Sequence, residues 1–98
     1  MLFARVIGNV VCTRKDEKLE GRKLLLIQPV DISFREKGTP HVAVDAVGAG
    51  EGELVLYCSG SSARQTTLTE GRPCDCVIMA IVDLVEKENN TIFDKSKE

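Results

Sequence analysis

His41-Val42-Ala43-Val44-Asp45-Ala46-Val47 is followed by Gly48-Ala49-Gly50-Glu51-Gly52-Glu53 and then by Leu54-Val55-Leu56-Tyr57-Cys58. The first run alternates, with Val42, Val44 and Ala46 against Ala43, Asp45 and Val47. A period of two places successive side chains on opposite faces of a strand. The last run resumes as a second strand. The glycines between them supply the positive φ of a tight turn. The pair reads as a β-hairpin or close to one.

Upstream, residues 3–13 alternate in the same way. Phe3, Arg5, Ile7, Asn9 and Val11 share one face; Ala4, Val6, Gly8, Val10 and Cys12 share the other, a face of small residues. The polar run Arg14-Lys15-Asp16-Glu17-Lys18 is a loop, and Glu20-Gly21-Arg22 is a turn signal. Next, Leu24-Leu25-Leu26-Ile27 lies between a glycine turn and Pro29. A short run so bounded fits a strand buried on both faces better than a helix. In a one-domain chain, burial on both sides implies that one side meets another subunit. Residues 31–39 read as a loop.

Downstream, Ser61 or Ser62 in Gly60-Ser61-Ser62-Ala63-Arg64 caps a short helix over Ala63 to Leu68. Gly71 and Pro73 end it. Residues 76–85 are the last long apolar strand. The polar tail from Glu86 to Glu98 is expected to be mobile, with Ile92 and Phe93 able to dock. The fold class is therefore all-β: a small five-stranded, OB-like antiparallel barrel with one short helix. The core domain spans residues 1–85, and the tail spans 86–98.

Composition sets the function classes. The chain has 98 residues, enough for one domain, and is 43% hydrophobic but only 4% aromatic. A domain this small buries a modest share of its surface. The surplus aliphatic surface is best placed in subunit contacts, so a cyclic oligomer is expected. A net charge of −2 and a pI near 5.4 argue against a basic nucleic-acid face. Stacking aromatics for an OB-type nucleic-acid groove are also scarce. The start lacks a signal-peptide pattern and no stretch is long enough to span a membrane. The expected location is cytoplasmic, where Cys12, Cys58, Cys74 and Cys76 remain thiols.

Four segments carry residue types with possible chemistry. Gly48, Gly50 and Gly52 resemble a phosphate loop, but a strand follows them where a helix N-terminus is required. Cys74-Asp75-Cys76 places two thiols on one face of an extended segment, at a spacing shorter than zinc pairs use. Ser61 or Ser62 with His41 and Asp45 supplies triad residue types without the second glycine of a nucleophile elbow. The cations of the first loop are interleaved with acids. No catalytic, cofactor or metal site follows; a binding module for a ligand or nucleic acid is the alternative function.

Several segments together resemble one family. Val6-Ile7-Gly8-Asn9-Val10-Val11-Cys12-Thr13-Arg14-Lys15 is similar to its first strand. Leu19-Glu20-Gly21-Arg22-Lys23-Leu24-Leu25-Leu26-Ile27-Gln28-Pro29 is similar to its second. Residues 42–53, Gly60-Ser61-Ser62-Ala63-Arg64, Asp75 and Ile81-Val82-Asp83 complete the pattern. The family is the EutN/CcmL group of microcompartment and carboxysome vertex proteins. The resemblance implies a non-enzymatic, cytoplasmic shell component that forms homopentamers and meets hexameric shell proteins. Within it, Gly48, Ala49, Gly50, Gly52, Glu53, Gly60, Ser61, Ser62 and Arg64 are the expected subunit-interface residues.

Overall fold

The structure is a computed structural model that describes residues 1–66, 69–71 and 75–98, the side chain of Ser62 excepted. The alternating segments become β1 (Leu2–Val10), β2 (Leu24–Pro29), β3 (His41–Asp45), β4 (Leu54–Ser59) and β5 (Cys76–Ile81). They close into a barrel in the order β1-β2-β3-β5-β4. The expected five-stranded OB-like barrel is present. Its interior is built from one side of each alternation: Ala4 and Val6, Leu25 and Ile27, Ala43, Val55 and Tyr57, Cys76 and Ile78. Small residues on β1 and β3 make room for the larger ones on β2, β4 and β5.

Two pairings differ from the sequence reading. β3 and β4 are not a hairpin: β3 pairs antiparallel with β2, and β4 pairs with β1 and β5. The barrel is also not wholly antiparallel, because β3 and β5 pair in parallel through Val44–Val77 and Asp45–Ile78. The cause lies in the glycine-rich segment. It crosses the end of the barrel, buries Ala49 in the core, and bonds to β1 through Gly52 N to Val6 O (2.8 Å) and Val6 N to Glu53 O (3.0 Å). A segment anchored to β1 delivers β4 beside β1, and the place beside β3 goes to β5.

The helix expected from Ala63 to Leu68 is a 3-10 turn over Gly60–Arg64; Leu68, Pro73 and Cys74 lie outside the described residues. The last apolar segment is divided. β5 stops at Ile81, and the amide of Val82 bonds across to Leu54 O at 2.9 Å. β6 (Leu84–Lys87) and β7 (Asn90–Asp94) then pair as a separate two-stranded sheet. Glu88 (φ 51°) and Asn89 (φ 66°) form its two-residue turn, the left-handed pair that a tight hairpin needs. The segment read as a polar tail is thus a docked hairpin, followed by a 3-10 turn at Lys95–Lys97.

Outside the barrel sit two further apolar clusters. One joins Val30, Leu54, Val82 and Phe93, with Phe3, Phe34, Leu56 and Val85 against them, and the hairpin covers it. The other joins Val44, Ala63 and Val77, flanked by Leu24, Ala46, Cys58 and Met79. The Gly60–Arg64 turn covers this second cluster through Ala63.

Candidate subunit interface

The two segments singled out in the sequence share one foundation, the end of β3. Strand alternation sends Val44 and Ala46 outward, where Ala63 packs against them at 0% exposure. The intervening Asp45 is buried and holds the glycine loop. Its Oδ1 accepts from the amides of Val47 and Gly48, both at 3.0 Å, and its Oδ2 from the amide of Ala49 at 2.9 Å. Lys23 Nζ lies 3.8 Å from Oδ2 and donates to Ala49 O at 3.3 Å. A carboxylate with three amide donors and an ammonium nearby is well satisfied in a buried position.

The far half of the loop is held by longer side chains. Glu53 Oε1 accepts from the Gly50 amide at 2.6 Å. Glu53 Oε2 accepts from the Lys95 ammonium. The Lys95 hydrogen bond, then that of Gly50, lowers the Glu53 pKa below the ordinary carboxylate value. Arg5 Nη1 donates to Gly52 O at 2.9 Å. The glycines have different reasons to be glycine. Gly48 (φ 79°), Gly52 (φ 86°) and Gly60 (φ 67°) are left-handed, with open space where a Cβ would stand. Gly50 has ordinary φ, and a Cβ there would sit 3.5 Å from Glu53 Oε1. Within one subunit, no close backbone approach explains them.

Of the expected interface residues, Ala49 is a core side chain in the single chain. Glu53 is the loop's own clamp. Ser61 and Arg64 are exposed in the single chain, and Gly60 N donates to Asp75 O at 2.7 Å. The alternative chemistries do not assemble. Asp45 and His41 stand four residues apart on one strand, roughly 13 Å. The Asp45 carboxylate is committed to loop amides, and the His41 ring faces Tyr57 at 6.4 Å between centroids. Among the described residues, no three His, Cys, Asp or Glu side chains gather as metal ligands.

The sequence model described as "Ethanolamine utilisation protein EutN/carboxysome" matches residues 1–83. The chain belongs to the EutN/CcmL family. The bacterial microcompartment shell vertex protein GrpN of Rhodospirillum rubrum is 44% identical over 89 residues, 91% of this chain and all of that relative. The solved structure of Gloeobacter violaceus CcmL superposes with a TM-score of 0.92 at 40% identity, covering 98% of this chain and 99% of that one. A structure of GrpN, described as a pentameric microcompartment shell protein, gives 0.80 at 42% identity, covering 89% and 99%. These EutN/CcmL relatives carry the same barrel, and their names describe shell components with no reaction.

Sequence reading missed four positioning residues of this family member: Lys23, Arg5, Lys95 and Glu98. Each acts on a partner far along the chain, and an isolated charge in a sequence does not say which distant group it meets. Asp45 carried a visible signal. A carboxylate on a strand's inward-facing side, directly before a glycine-rich segment, is a candidate loop anchor.

Proposed function

We propose that this protein is a structural vertex subunit of a bacterial microcompartment shell, with five copies forming a ring at each corner. The observation that carries the reading is the near full-length superposition on CcmL and on a pentameric GrpN. A flat layer of hexagonal tiles cannot close on itself, and pentagonal units at the corners supply the curvature. The ring partners on the flat faces are hexameric shell proteins of the same compartment, inside the cell.

A five-fold ring uses a heterologous contact, in which one patch of each subunit meets a different patch of the next. The loop from Gly48 to Glu53 and the turn Gly60, Ser61, Ser62 and Arg64 form part of that contact. Three features support this assignment. Both segments are braced on β3, the loop is preformed by Asp45, and the cluster under Ala63 is flanked by half-buried Leu24, Ala46, Cys58 and Met79. The barrel strands within residues 1–85 build the ring, and residues 86–98 brace it.

Native mass spectrometry in reducing buffer tests the reading. Five chains of 10.7 kDa give about 53.5 kDa. A species of that mass is the expected result. A 10.7 kDa monomer at all concentrations overturns it. Arg64→Ala and Gly50→Val are expected to weaken the ring; if both variants leave it as stable as wild type, the interface assignment is wrong.

A further inference from the structure

The family model ends at residue 83, while the superposition on CcmL runs over 98% of the chain, and the last residues return to the glycine loop. Asp83 O accepts from the Lys95 amide at 2.9 Å. Asp94 caps the last turn, accepting from Ser96 N at 3.0 Å and Ser96 Oγ at 2.7 Å. These bonds aim Lys95 at Glu53. The same Glu53 carboxylate holds the Gly50 amide on its other oxygen. Three residues beyond Lys95, Glu98 accepts from Arg5 Nη1 at 2.5 Å, and that nitrogen also donates to Gly52 O. The Arg5 guanidinium lies 5.3 Å from the centre of the Phe93 ring, so β7 limits where Arg5 can point. Gly50 and Gly52 are therefore each gripped by a side chain whose second partner belongs to residues 95–98.

We propose that residues 95–98 are a strap that sets the conformation of the ring-contact loop, with Lys95 acting through Glu53 and Glu98 acting through Arg5. This rests on the vertex reading. Lys95 and Glu98 are positioning residues: the strap orients the loop and need not touch the neighbouring subunit. Exposed ion pairs contribute little to folding, so their removal leaves the barrel intact and changes how often the loop is in its competent form. A ring needs five competent loops at once. Halving the competent population per subunit lowers the ring association constant about thirtyfold, which moves the dilution midpoint about two- to threefold.

The test combines two readouts on wild type, on Lys95→Met with Glu98→Gln, and on a chain ending after Asp94. Amide hydrogen exchange at Gly50 and Gly52 is followed in dilute monomer. Ring dissociation on dilution is followed by native mass spectrometry. Both variants are expected to exchange severalfold faster at Gly50, whose amide is held by Glu53, with Gly52, whose amide is held by Val6 O, reporting opening of the whole loop, and to dissociate at higher concentration. Lys95→Arg with native Glu98 is expected to behave as wild type. Unchanged exchange at both glycines overturns the strap, whether or not the ring weakens. Faster exchange with an unshifted midpoint overturns its role in assembly. A wild-type chain that never forms a ring instead overturns the vertex reading, and the exchange data still decide whether the strap grips the loop.

Discussion

The two apolar clusters outside the barrel are covered in opposite ways. The cluster around Leu54 and Phe93 is roofed by the chain's own hairpin, with Phe3, Phe34, Leu56 and Val85 half-buried around it. Phe34 packs edge-on to Phe3 at 5.7 Å and tilted against Phe93 at 5.6 Å. Phe34 holds φ at 63°, an unfavourable conformation for a bulky residue that the surrounding packing must offset. The cluster around Val44 and Val77 has one small lid, Ala63, and its rim of aliphatic and sulfur-bearing side chains remains half-buried. The difference teaches where a neighbour belongs. Both faces keep half-buried apolar groups at their rims, but the first is roofed by three aromatic rings of this chain and the second by a single methyl group, which leaves the second with the thinner cover.

Substitutions can break that contrast. Phe93→Ala removes the largest group sealing the first face. It is expected to cost about 3 kcal/mol of folding stability, measured by urea denaturation at ring-free dilution. Ring formation at low temperature should persist. If stability is unchanged while the ring is lost, the self-sealed description is wrong. Ala63→Leu overfills the second face and is expected to cost about 2 kcal/mol. Here the ring should be lost at concentrations where the monomer is still folded, as read by native mass spectrometry beside circular dichroism.

The loop between the two faces separates backbone demands from contact demands. Gly52→Ala forces a side chain onto a left-handed backbone and should cost about 1 kcal/mol. Gly50→Ala faces no such demand, so its denaturation curve should overlay wild type. A ring defect in Gly50→Ala would then report on the neighbouring subunit alone.

The smallest expected effect is on pH. The Glu53 pKa is lowered by its Lys95 and Gly50 hydrogen bonds, and the Glu98 pKa by its Arg5 hydrogen bond. The Lys95 pKa is raised by its Glu53 hydrogen bond. Glu53 faces Lys95, which also lies in the field of Asp83, while Arg5 faces Glu98. Depressed carboxylate values stabilise above the ordinary carboxylate range, and that stabilisation is lost as pH falls through the lowered values. The raised lysine value stabilises below the ordinary lysine range and is lost as pH rises through it. The ion pairs of the strap are therefore fully charged from mildly acidic to mildly alkaline pH. Gly50 exchange, corrected for intrinsic rates, should rise on acidification in wild type, and in Lys95→Met the rise should begin at higher pH because Glu53 keeps only the Gly50 bond.

The barrel was legible in the sequence because alternation assigns side chains to faces without knowledge of the partner strand. Ala4, Val6 and Ala43 all point where their period places them. The pairing was not legible. The glycine-rich stretch has the residues of a hairpin turn, and only the burial of Ala49 and the bonds to Val6 show that it crosses the barrel. The second hairpin was missed because β6 and β7 are short and mostly polar, and their stability comes from docking Phe93, not from their own pattern. For the interface, the two segments were visible as motifs. The side chains that shape them were not, because Arg5, Lys95 and Glu98 act across the folded chain.

Ala49 sits at one end of a core already filled by Val6, Leu25, Ile27, Val55, Tyr57 and Ile78. Among the described residues, side chains fill the barrel interior, which is a core and not a channel. In a closed shell, whatever crosses a corner must travel between chains, along the axis they surround. Permeability there would belong to the assembly alone, set by the side chains that five copies present to one another.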